Sequence, residues 1–245
     1  MNESSSDLGR TRRTVLRGLT GALAAASFGQ AFGKGAAQAS ATLDHASLLD
    51  LAATAEALMV TFYHQALSGA AFRVEEGPAE HLRAMLDAEL HHLHLLESLG
   101  GRPLTRQFFL PGDVLTDAGA FVDTGLHLEA TLTGAYVAAT HQFAALGQPE
   151  LAATAAQLGA GEAQHLTLLS GLAGLGPSDL ALPTTPFRQV ADATPALAPF
   201  LRGGSRTLGP LSLPAGEQIR ALLGDRAAPR GQPFLQVGGR SPQRS

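Results

Sequence analysis

Apolar residues recur along this chain at three- and four-residue spacings, and the pattern predicts four helices. In the first, about Asp44 to Ser68, Leu48, Ala52, Ala55, Met59, Phe62 and Ala66 form one stripe. The second runs from about Pro78, suited to a first helical turn, to Leu99, where Gly100-Gly101 and then Pro103 end it. The third spans about Asp117 to Leu146 and stops at Gly147. The fourth starts near Pro149 and ends at Gly174-Leu175-Gly176-Pro177. Leu and Ala dominate, strand signals are weak throughout, and the expected fold class is all-α.

Loop lengths set the topology. About ten residues join helices one and two, and Gly147-Gln148 joins three and four, so each pair is expected to be an antiparallel hairpin. The stretch Gly100 to Thr116 between the hairpins holds Pro103, Phe108, Phe109, Pro111 and Gly112. A helix of about 25 residues is ~37 Å long, and a stretch of this length reaches ~55 Å when extended. It can therefore run the length of a bundle, which predicts two antiparallel hairpins joined by one long crossover. Beyond Pro177 the character changes, because ten of the 14 Pro lie at 177–245. A short helix is expected around Ala215 to Leu223 in a Pro-rich extension at 177–224, and 225–245 is read as a disordered tail.

Six polar residues interrupt the apolar stripes. Glu56 shares a face with Ala52, Met59 and Tyr63. Glu89 and His92 lie three apart among Met85, Leu93 and Leu96. Glu129 shares a face with Gly125, Leu132 and Tyr136. Glu162 and His165 repeat the Glu-x-x-His spacing among Leu158, Leu166 and Leu169. The pairs Glu56/Glu129, Glu89/Glu162, His92/His165 and Tyr63/Tyr136 are each separated by 73 residues, and these are the only two tyrosines in the chain. The two halves read as copies of one helical hairpin. Four carboxylates in one core repel each other and resist desolvation. Two divalent cations, or one with bound protons, resolve that conflict, and a mixed oxygen/nitrogen donor set suits iron or manganese. His64, His91, His94 and Glu97 are read as solvated or crossover-facing, and Glu75, Glu76 and Glu80 as a solvated acidic helix start.

Glu from two helices plus Glu-x-x-His from two others resembles the dimetal carboxylate arrangement of the ferritin-like superfamily, in particular its exported branch that includes desiccation-related proteins. The resemblance covers about Asp44 to Gly174. It implies a ferritin-like four-helix bundle at 40–176 holding two iron or manganese ions on Glu56, Glu89, His92, Glu129, Glu162 and His165. By the same resemblance Glu89 and Glu162 bridge the metals, and Glu56 and Glu129 are terminal. Tyr63 and Tyr136, two turns from those carboxylates, are expected as hydrogen-bond donors behind the ligands or as redox-active groups.

Charge adds an address. Residues 1–39 carry five basic residues against Glu3 and Asp7, whereas 40–245 carry 12 Arg against 19 acids. Thr11-Arg12-Arg13-Thr14-Val15-Leu16-Arg17 precedes an uncharged run from Gly18 to Gly33, and Ala37-Gln38-Ala39 offers a cleavage site. That run is too short for a bilayer span of about 20 residues. The layout resembles a Tat signal over 1–39, which implies the Tat machinery as a partner and the periplasm or cell envelope as destination.

Composition removes alternatives. With no Cys, the chain has no thiol nucleophile, Cys-held zinc or iron–sulfur cluster, and no rubredoxin-type iron centre. The acidic balance argues against a nucleic-acid partner. The Pro-rich tail is unlike the fifth helix of storage ferritins, and the acidic chain lacks the basic tail of a DNA-protecting miniferritin. Three functions stay open: a dimetal oxidoreductase acting on peroxide or O₂, a stress-related metal-binding protein without turnover, and a structural bundle whose six polar residues share protons. Self-association through the bundle is a further expectation.

Overall fold

Asp44 and Asp117, 73 residues apart, begin the two longest helices in the same way. Asp44 Oδ1 accepts from the Ser47 N–H at 2.8 Å, and Asp117 Oδ1 from the Ala120 N–H at 3.0 Å. Each satisfies a donor that the first helical turn leaves without a partner. The computed structural model describes residues 43–176, 182, 187–224 and 231–236. Its four long helices are α1 (His45–Gly69), α2 (Glu76–Ser98), α3 (Ala118–Ala145) and α4 (Pro149–Leu172). α3 and α4 start 73 residues after α1 and α2, so the repeat holds in structure as well as in spacing. Gly147, at φ +70°, makes the tight turn between α3 and α4, where a side chain would be strained.

The crossover is tied along α1. The backbone N–H of Arg102 donates to Asp50 Oδ1 at 2.7 Å and that of Leu104 to Thr54 Oγ1 at 2.9 Å, near the start of the helix. Just past its other end, the Ala71 N–H donates to Leu115 O at 2.7 Å. The crossover thus spans the length of α1, and α3 runs antiparallel to it. Glu97 meets the crossover too, accepting from Arg106 at 3.0 Å. The fold is an all-α four-helix bundle with a small two-stranded sheet added to it.

That sheet departs from expectation. Gln107–Pro111 forms β1, pairing antiparallel with β2 (Thr207–Ser212), with Phe108 opposite Leu211 and Leu110 opposite Leu208. Phe108 and Leu110 are fully buried, so the alternation is real. It is too short to read in sequence, and its partner lies about a hundred residues away, beside Gly209 and Pro210.

The extension is also more ordered than expected. It holds α5 (Thr194–Arg202), which the sequence did not suggest, and α6 (Gly216–Leu223), close to the short helix expected there. α5 packs on β1, and α6 packs on α1 and α2. Buried Val190, Phe200 and Ile219 anchor these pieces. Within the stretch read as a disordered tail, Phe234–Gln236 is a 3₁₀ turn against α4, held where Phe234 N–H donates to Gln157 Oε1 at 2.7 Å. Residues 225–230 and 237–245, and the signal-like segment 1–39, lie outside the described residues.

α1 is enclosed by α2, α3, β1 and α6. By length and composition it passes for a membrane span, but 72% of its most apolar window is buried inside the fold. His64, read as solvated or crossover-facing, is buried on α1 and so is not solvated. Burial holds its imidazole pKa below the ordinary range, and Ser68 Oγ lies 3.4 Å from its Nδ1.

Candidate metal centre

Each long helix delivers its polar residues to one point inside the bundle. Glu56, Glu89, Glu129 and Glu162 have no exposed surface, and His92 and His165 are nearly enclosed. The six fall into two overlapping groups: Glu56, Glu89, His92 and Glu162, and Glu89, Glu129, Glu162 and His165. Within each group one donor atom per residue lies within 4.8 Å of all the others.

The two shared carboxylates face both ways. Glu89 turns Oε2 to His92 Nδ1 at 3.3 Å and Oε1 to His165 Nδ1 at 2.8 Å. Glu162 turns Oε1 to His92 Nδ1 at 3.1 Å and Oε2 to His165 Nδ1 at 3.5 Å. Glu56 reaches only the His92 side, at 3.6 Å, and Glu129 only the His165 side, at 3.6 Å. Two central carboxylates with one outer carboxylate on each flank is the layout a bridged ion pair needs. The imidazole rings face each other with centroids 6.1 Å apart, 27° from parallel.

These atoms approach closely without satisfying one another. Glu56 Oε2, Glu129 Oε2, both oxygens of Glu89 and of Glu162, and Nδ1 of each His are buried without a hydrogen-bond partner. Leaving one buried polar atom unpaired costs about 1–3 kcal/mol, so eight in one place point to a missing common partner. Lone pairs aimed at a shared point fit a cation. Four ionised carboxylates match the charge of two divalent ions, and the hard oxygen plus imidazole set suits iron or manganese.

The electrostatics follow from the same crowding. Burial first, then the charges of Glu162 and Glu89, push Glu56 well above the usual carboxyl range. Burial and Glu89 do the same to Glu129. Burial opposes charge on Glu89 as well, but the attraction of His165 outweighs it and holds the carboxyl below its usual range. Glu162 is lowered too, the nearby His165 and His92 prevailing over burial and over Glu89. Burial opposes protonation of the histidines, yet the approach of Glu162, Glu56 and Glu89 raises His92, and Glu89, Glu129 and Glu162 raise His165. Without metal, two imidazolium groups partly balance the carboxylates.

Behind the outer carboxylates stand the two tyrosines. Tyr63 Oη–H donates to Glu129 Oε1, and Tyr136 Oη–H donates to Glu56 Oε1. Burial, and then the adjacent carboxylate, holds each phenol well above its usual range, so each stays a donor. Each bond crosses between the two halves. Seven residues along one helix is about 10 Å, so neither tyrosine can reach the glutamate of its own helix. Antiparallel α1 and α3 exchange the partners.

Of the other residues weighed in the sequence, His94 is exposed, and Glu76 pairs with Arg83 at 2.9 Å. One residue that bears on the site carries no signal of its own in sequence. Gly161 on α4 sits against the His92 ring, and a Cβ there would come within 3.0 Å of His92 Cε1.

Comparison with curated proteins and with solved structures found no match. A family model for a ferritin-like domain matches residues 44–175, more than half of the chain, and ends where the four helices end. The repeated hairpins, the long crossover and the buried carboxylate/histidine cluster agree with that match, and the chain belongs to the ferritin-like domain family.

Proposed function

We propose that this protein is an exported dimetal carboxylate oxidoreductase acting on peroxide or O₂ in oxidative or desiccation stress. The observation that carries the reading is the two-way orientation of Glu89 and Glu162 between His92 and His165. Glu56, Glu89, His92 and Glu162 would hold one ion, and Glu89, Glu129, Glu162 and His165 the other. Bound iron or manganese supplies redox cycling and polarisation of a small oxidant.

The protein's own groups prepare that centre. Tyr63 holds Glu129 at Oε1 and Tyr136 holds Glu56 at Oε1, which leaves Oε2 of each outer carboxylate free to ligate. The imidazoles must shed their protons to ligate, so loading releases protons. Full burial of the carboxylates excludes bulk water and restricts the substrate to something as small as O₂ or peroxide. The twin-arginine pattern supports Tat export to the periplasm or envelope, and folding before export would let the metal be chosen inside the cell.

The test uses the purified full-length chain, loaded separately with Mn²⁺ and Fe²⁺. O₂ release from hydrogen peroxide is measured for the first, and Fe²⁺ oxidation by O₂ or peroxide for the second. Turnover that disappears in Glu89→Ala and Glu162→Ala is expected. Two bound metals without turnover in either assay would instead give a metal-binding protein. No bound metal would leave a proton-sharing structural bundle.

A further inference from the structure

The two donor groups have the same composition, three Glu and one His, but unequal surroundings. His92 keeps 13% of its side chain exposed, His165 7% and the four carboxylates none. Against the His92 ring lies Gly161, one residue before Glu162. A Cβ there would stand 3.0 Å from Cε1 and 3.2 Å from Nε2, inside the optimal carbon–carbon separation of about 3.5–4.0 Å. The position 73 residues earlier, one before Glu89, is Ala88. One half of the repeat therefore carries a methyl group where the other carries none.

The ring pressed by such a methyl has little room to yield. His92 Nδ1 lies 3.1 Å from Glu162, 3.3 Å from Glu89 and 3.6 Å from Glu56, so a shift of a few tenths of an ångström disturbs all three spacings at once. His165 stands clear of Gly161: His92 is the one side chain within 4 Å of where a Cβ on Gly161 would lie.

We propose that Gly161 is a positioning residue for His92: its missing side chain sets the ring where Nδ1 can ligate, and makes the two halves of the centre separately tunable. This rests on the dimetal reading. A methyl at 161 weakens only the ion on the His92 side, because the other set lacks that ring.

The probe is Co²⁺, titrated into the metal-free full-length protein and followed by its visible absorption, with bound metal counted by elemental analysis. Wild type is expected to take two ions. Gly161→Ala is expected to weaken one binding step by about ten- to a hundred-fold, the range of changes that reorient a ligand, and to leave the other unchanged. Gly161→Ala added to His92→Ala is expected to do nothing further, whereas added to His165→Ala it keeps its full effect. Equal weakening of both steps, or an undiminished effect in the His92→Ala background, would overturn the proposal. Alanine is the better helix former, so a folding failure in Gly161→Ala would come from the ring contact. Removing the ring with His92→Ala must then restore folding, and failure to do so also overturns the proposal. Wild type taking two ions with Gly161→Ala unchanged sinks this inference alone; wild type taking none sinks the dimetal reading with it.

Discussion

The α1–α2 hairpin and the α3–α4 hairpin carry the same polar set at one constant offset, but they are packed differently around it. Near Tyr63, Phe62 lies edge-on at 5.2 Å and stacks on Phe121 at 4.8 Å, with Phe72 beyond. The position matching Phe62 in the second half is Ala135, and the one matching Phe121 in the first is Leu48. Tyr136 is instead approached by backbone, since a Cβ on Gly159 would lie 2.9 Å from its Cβ. The matching residue in the first half is the buried Leu86. The comparison separates two kinds of constraint. Volume can be redistributed between facing helices as long as the total is kept. Donor atoms that must converge on one point cannot be redistributed, and they stay in register to the residue.

The largest break in the pairing is expected at the shared carboxylates. Glu89→Ala or Glu162→Ala removes a donor from both groups and should abolish paired-metal binding, read as metal per chain. Glu56→Ala or Glu129→Ala removes a donor from one group and should leave one ion bound. Equal losses from shared and outer glutamates would contradict the two-way geometry.

The pH dependence sharpens the charge argument. His92 and His165 have folded pKa values raised above the unfolded 6.5. Their contribution to stability is full below that value and is lost as pH rises through the folded one. Glu56 and Glu129 are raised above 4.5, and keeping them protonated works in the same direction above that pH. Metal-free protein should therefore melt at lower temperature as pH rises above about 6.5. Divalent metal should raise the melting temperature more at about pH 8 than at about pH 6. A metal gain that is larger at the lower pH would contradict the assigned charges.

Smaller effects probe the packing difference. Gly125→Ala drives a methyl to 2.9 Å from Leu169 Cδ1 and 3.3 Å from Phe62 Cε1, and should destabilise by about 1–3 kcal/mol in denaturant melts. Gly159→Ala meets Tyr136 and should cost a similar amount, with a loss of metal affinity because Tyr136 holds Glu56. The smallest effect should come from the caps. Asp44→Ala and Asp117→Ala should each cost about 1 kcal/mol, equally, and leave metal content untouched.

The chemistry was more legible in sequence than the packing. Glu56, Glu89, His92, Glu129, Glu162 and His165 stand out because polar groups inside apolar helical stripes need a reason, and one 73-residue offset relates them in pairs. The helices were readable for the same cause, with Pro149 and Gly147 marking their ends. The β1–β2 ribbon was not, because a five-residue strand pairs with a distant segment interrupted by Gly209 and Pro210. α5 was hidden by its own Pro195 and Pro199. The burial of His64 gave no local sign in the sequence, because what packs on α1 comes from distant parts of the chain. The helical rise alone rules out same-helix partners for Tyr63 and Tyr136, but their exchange between halves, like the contact of Gly161 with His92, needed the three-dimensional arrangement.

The central claim is that the six buried residues hold two metal ions. The most direct test is elemental analysis of the purified full-length chain after separate loading with iron and with manganese, before and after chelation. About two ions per chain, lost on chelation and absent in Glu89→Ala, is the predicted result. Essentially no bound metal in a protein whose helical content is intact would contradict it.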